Sequence, residues 1–178
     1  MIRRWPLFAA PVFAAIAAGG GSAGETGFAS SAEAMGWLAR ELPRVTQANP
    51  KYLTKSDGTV SQWLTKAVHF SREADGHVRV AMQESYTQTK GGVSTPGQHE
   101  AKFSLGDVEI TDFSQPGDVT PAGEASRGIL FTCSKAGCVA AVWGGKAAPS
   151  DKTDISIQDD ALRAKVLAAF RYLQTHKA

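Results

Sequence analysis

The 178-residue sequence predicts an α+β fold: an antiparallel bent sheet or partly open barrel of about six to seven strands, with an N-terminal helix and a C-terminal capping helix. Three observations predict it. Apolar residues recur at helical spacing near each end of the globular part. Between those ends, apolar and polar residues alternate with a period of two. Short turn-forming stretches such as Ala74-Asp75-Gly76 divide the alternating segments.

The chain opens MIRRWPLFAAPVFAAIAAGGGSAG. Arg3 and Arg4 form a basic start, and Leu7 to Ala18 is apolar apart from Pro11. Gly21-Ser22-Ala23 offers a small-residue cleavage site. This is the layout of a secretory signal peptide over residues 1–23, and the apolar run is too short for an ordinary membrane span. An uncleaved anchor is the alternative. Residues 24–30 read as a flexible linker and 31–178 as one domain. Removing Arg3 and Arg4 takes the basic count from 19 to 17, level with the 17 acids. The basic balance therefore belongs to the targeting segment. It is no argument for nucleic-acid binding, which needs a basic patch. No later segment is apolar enough to span a membrane, so the expected location is the periplasm or the exterior.

Ser30 and Glu33 fit a capping box, and Met35, Leu38, Leu42 and Val45 then share one helical face. Pro43 is expected to kink or stop that helix. Gln47 to Thr59 reads as a polar connection. Leu64 to Gln88 reads as a hairpin about a three-residue loop, Ala74-Asp75-Gly76, which sets Phe70 opposite Val80 and Val68 opposite Met82. The same register sets Leu64 opposite Tyr86 and Lys66 opposite Glu84. A second hairpin is expected at Gly106-Asp107, pairing Leu105 with Val108 and Phe103 with Ile110; one strand bent at Gly106 is the alternative. A third is expected about Ser134–Gly137, pairing Cys133 with Cys138, Phe131 with Ala140 and Ile129 with Val142. Apolar on both faces, it is expected to be the most buried part of the sheet. Thr89–Gly97 and Ser114–Arg127 read as long surface loops. Lys152-Thr-Asp-Ile-Ser-Ile157 is a short strand. Asp159 to His176 is an amphipathic helix with Leu162, Val166, Ala169, Phe170 and Leu173 on its stripe.

This order of elements resembles the pleckstrin-homology-like architecture, a bent sheet or barrel capped by a C-terminal helix, over Leu64 to Lys177. The resemblance rests on element order. The lipid binding known for some of its members needs a basic loop cluster, which the first hairpin loop, READGH, does not supply.

Cys133 and Cys138 are the only cysteines. Opposed residues of a hairpin lie within disulfide range, and an exported protein meets oxidising conditions, so the leading reading is a structural disulfide. The CxxxxC spacing departs from the CxxC of redox centres. A metal site is not expected: His69, His77, His99 and His176 match no ligand spacing, and Asp151, Asp154, Asp159 and Asp160 lack the spacing of a calcium loop. VWGGKAA lacks the first glycine and the final Ser/Thr of a phosphate loop. Glu84 is the one acid on an otherwise apolar strand face. It is a candidate general acid or base, or else half of a rim ion pair with Lys66. No catalytic set, cofactor or metal is assigned.

These readings order the function classes. The first is an exported, non-enzymatic binding or accessory protein, of inhibitor or immunity type, that meets another exported or envelope protein through its surface. The alternative is a small-molecule or lipid binder with an apolar cavity between the sheet and the C-terminal helix. The second alternative is a hydrolase using Glu84.

Overall fold

The computed structural model describes residues 27–48, 50–54, 57–119 and 125–176. The expected signal peptide, 1–23, lies outside the described residues. Phe28, expected in a linker, is buried against Trp37, so the packed domain starts by that residue.

Helix α1 (Ser31–Ala48) opens with the Ser30 hydroxyl accepting from Glu33 N–H at 3.2 Å. It buries Ala34, Leu38, Leu42 and Val45. Pro43 does not stop it. The residues that pack on the sheet lie on both sides of the proline, so tertiary burial outweighs one missing donor. Strands β1 (Lys51–Thr54), β2 (Val60–Arg72), β3 (Val78–Lys90) and β4 (Val93–Ser104) follow as an antiparallel run. β1 replaces part of the polar connection. β3 and β4 run to the Gly91-Gly92 turn with Lys90 opposite Val93, so the first expected surface loop is instead the end of a long hairpin. Both glycines have positive φ, 57° and 80°, as a two-residue turn of this kind requires.

At the near end of the first hairpin the expected pairs form: Phe70 opposite Val80 and Val68 opposite Met82. Beyond them the register changes. A bulge between Thr65 and Ala67 leaves Lys66 unpaired, so Thr65 faces Glu84, and Trp63, not Leu64, faces Tyr86. One extra residue exchanges the two faces of everything beyond it. The helix end meets the strand at this irregularity, where the Thr46 hydroxyl of α1 accepts from Thr65 N–H at 3.1 Å.

The expected hairpin at Gly106 does not form. A 3-10 turn (Leu105–Asp107) carries the chain from the first sheet into a second, where β5 (Val108–Val119) pairs with β6 (Ala125–Cys133). Much of the second expected loop is thus strand. The corner is held from afar: Gln174 Nε2 donates to the carbonyls of Leu105 and Val108, each at 2.8 Å. The third expected hairpin is also absent. β7 (Ala140–Trp143) pairs with β4 in the first sheet and with the short β8 (Lys146–Ala147), while β6 stays in the second sheet with β9 (Lys152–Ser156). Helix α2 (Asp160–Thr175) closes the chain, with Asp159 accepting from Leu162 N–H at 2.7 Å as its N-cap.

The fold is α+β, as the sequence predicts. Among the described residues, nine strands form an antiparallel sheet in the order β1-β2-β3-β4-β7-β8 and another in the order β5-β6-β9, not closed into a barrel. Phe70 and Phe103 of the larger sheet, Phe131 of the smaller and Phe170 of α2 form one aromatic core, with neighbouring ring centroids 4.8–6.2 Å apart. These rings pack between the sheets and the C-terminal helix, where one expectation places an apolar cavity.

Candidate functional site

The same inner face of the larger sheet continues past this core. On β3, Val80 and Met82 give way to Glu84 and Tyr86. On β4, Phe103 and Ala101 give way to His99 and Gly97. Direct pairing sets Glu84 opposite His99, and β7 adds Trp143 on the other side of His99. The bulge at Lys66 brings Trp63 onto this face.

Glu84 Oε2 and His99 Nδ1 are 2.7 Å apart, and the two side chains are only 12% and 7% exposed. An ionised carboxylate can only accept, so Nδ1 carries the hydrogen and a neutral ring presents Nε2 as an acceptor. Among the described residues, neither that nitrogen nor Glu84 Oε1 has a hydrogen-bond partner. Trp143 lies across the imidazole with centroids 4.1 Å apart, and Trp63 meets it edge-on at 5.9 Å. Tyr86 packs against Trp63 at 4.6 Å. Gly97 makes room for it: a Cβ there would lie 2.2 Å from the Tyr86 ring.

The facing wall comes from β1, β9 and the approach to β9. Lys51 Nζ bonds Asp154 across the two sheets at 2.7 Å. Together with Trp63, Glu84, His99 and Trp143 this pair borders an open cleft of about 240 Å³. Ser150, Lys152 and Thr153 add polar groups to its lining. The site has an aromatic side, a buried carboxylate–imidazole pair and a bridging ion pair. That set can hold a small ligand by ring contact and hydrogen bonds, and can take up a proton at Nε2.

Of the residues singled out in the sequence, Glu84 lies in this site and Lys66 does not. Lys66 is exposed in the bulge, and the partner of Glu84 is His99. A rim ion pair between Glu84 and Lys66 is therefore replaced by a buried pair with a histidine. The sulfurs of Cys133 and Cys138 are 2.10 Å apart, at disulfide distance, with Cα atoms 5.6 Å apart. They close the loop by which the chain leaves one sheet for the other, rather than a hairpin. Asp151 accepts from Gly137 N–H at 2.6 Å within that loop. Asp154 is held by Lys51, Asp159 caps α2, and Asp160 pairs with Arg127 and Arg163. Gly144-Gly145 is the turn joining β7 to β8.

Sequence reasoning passed over His99, and one signal would have found it. Reading Gly91-Gly92 as a two-residue turn sets Lys90 against Val93, and counting back along both strands sets Glu84 against His99. No protein-family model matches the chain, and no curated protein or solved structure matches it either.

Proposed function

We propose that this chain is an exported binding protein that takes a small ligand into the cleft between its two sheets. The observation that carries the proposal is the Glu84–His99 pair, buried against Trp63 and Trp143 at the wall of the open cleft. A buried polar pair at a cavity wall, with unused acceptor positions and aromatic neighbours, has the composition of a ligand site. Export rests on the N-terminal sequence and fits a cysteine pair at disulfide distance. Among the described residues no helix is long and apolar enough to cross a membrane. A partner from the envelope remains part of the proposal, since a half-open cleft also accepts the end of a larger molecule.

Tryptophan emission tests this reading, because two tryptophans border the cleft. A ligand from a panel of small metabolites should change the emission and raise the melting midpoint. His99→Gln should weaken that response. A panel without a response, or a response that His99→Gln leaves unchanged, would reject the cleft as the binding site.

The same pair favours a second reading, acid–base hydrolysis. Glu84 would orient the imidazole through Nδ1 while Nε2 takes a proton from an attacking water. Under this reading Glu84→Gln should lower hydrolysis of a model substrate by about 10² or more while the substrate still binds.

A further inference from the structure

We infer that the ligand of this cleft is one neutral sugar ring, free or at the end of a glycan; the inference rests on the cleft being a ligand site. Four observations point to this chemistry.

The first is charge. Lys51 is held by Asp154 at 2.7 Å, and with a neutral His99 on its other oxygen the Glu84 carboxylate keeps its negative charge. An anionic ligand would face that carboxylate, and Lys51 could not meet it without leaving Asp154. The second is hydrogen-bonding sense. Glu84 Oε1 and the free nitrogen of a neutral His99 are acceptors without donors, so the ligand should bring O–H or N–H groups. A purely apolar ligand would cover both without replacing their lost water.

The third is the shape of the aromatic side. The rings of Trp63 and Trp143 stand at 85° to each other with centroids 5.3 Å apart. This is a corner and not a slot. A flat heteroaromatic base is best held between parallel rings, whereas a puckered ring presents C–H bonds to one indole face and hydroxyls at its rim. The fourth is size. A cavity of about 240 Å³ falls below the usual range for drug-sized ligands, and its open mouth lets a chain continue outward.

The test uses protein purified after expression of the full chain. Neutral monosaccharides, their short oligomers, zwitterionic amino acids and nucleosides are titrated separately, and tryptophan emission and thermal midpoint are followed. A neutral sugar should bind, and Trp143→Ala should weaken it about tenfold. Trp143 is 41% exposed, so this variant should remain folded. Glu84→Gln offers a second probe that keeps side-chain size, and should also weaken sugar binding. Oligomers binding more tightly than monomers would support a glycan end; equal binding would support a free sugar. Binding of amino acids or nucleosides alone, abolished by Trp143→Ala, would overturn the sugar assignment and leave the cleft as a ligand site. Sugar binding that neither variant changes would overturn the assignment to this cleft. No binding by any class would overturn both this inference and the small-ligand reading beneath it.

Discussion

At one end of the inner face of the larger sheet, Phe70 and Phe103 meet Phe131 and Phe170 in the aromatic core. At the other end, Trp63 and Trp143 stand beside an open cleft and shelter Glu84 and His99. Both ends are built from the same strands, a few residues apart. What separates them is the cover. The first end lies under the smaller sheet and α2, whose Val166, Phe170 and Leu173 are buried. The second faces a thin wall from β1 and β9, bridged by one ion pair. Aromatic content alone therefore does not make a core. Where the covering element stops, the same strand pattern yields a site, and polar residues there cost less because they bond one another.

The comparison breaks first at Phe170. Phe170→Ala should leave a cavity at the closed end and cost about 3–5 kcal/mol, whereas Trp143→Ala at the open end should cost about 1 kcal/mol. Urea denaturation of both variants reads the difference directly. Equal losses would mean that the two ends are equally structural.

Reducing the Cys133–Cys138 pair should cost about 2 kcal/mol, because the loop it closes is short. The expected consequence is a lower denaturation midpoint with the cleft still formed, since the pair holds the crossing between sheets. Loss of aromatic near-ultraviolet dichroism on reduction would tie the cleft to that crossing.

Gly97→Ala sharpens the description of the open end. Its methyl would enter the space of the Tyr86 ring, which must then move. The cost should be about 1 kcal/mol, at the low end for overpacking because the cleft gives the ring somewhere to go. In a Tyr86→Ala background, which is itself less stable because the ring packs on Trp63, the Gly97→Ala change should cost nothing further. A midpoint that Gly97→Ala still lowers in that background would place the strain elsewhere.

The smallest effect concerns acid. The Ser104 hydroxyl, followed by Arg79, holds the Glu73 carboxyl below its ordinary value of 4.5. The folded state thus binds this proton less readily than the unfolded chain. The contribution is complete above 4.5 and is lost as pH falls through the lowered folded value. A plot of stability against pH should decline below about 4.5, and Glu73→Gln should flatten part of that decline. A slope that the variant leaves unchanged would remove Glu73 from the account.

Some of this molecule is written locally. The capping box before α1, the stripes of both helices, the Asp159 cap and the pairing of Phe70 with Val80 each depend on residues close in sequence. Period and turn chemistry are enough to read them, and they suffice for the α+β class. Even the contact of Glu84 with His99 was available, given the right turn at Gly91-Gly92. Other features were decided only in three dimensions. The bulge at Lys66 meets the end of α1 through Thr46, and it turns Trp63 rather than Leu64 inward. The 3-10 corner after Ser104 is secured by Gln174, far along the chain. The strands flanking the cysteines look like a hairpin because both alternate correctly, yet they pair with different neighbours. Alternation tells a strand which face to bury and is silent about which strand lies beside it. That choice belongs to the packing of the whole domain, and here it sets one sheet across from the other and leaves the cleft between them.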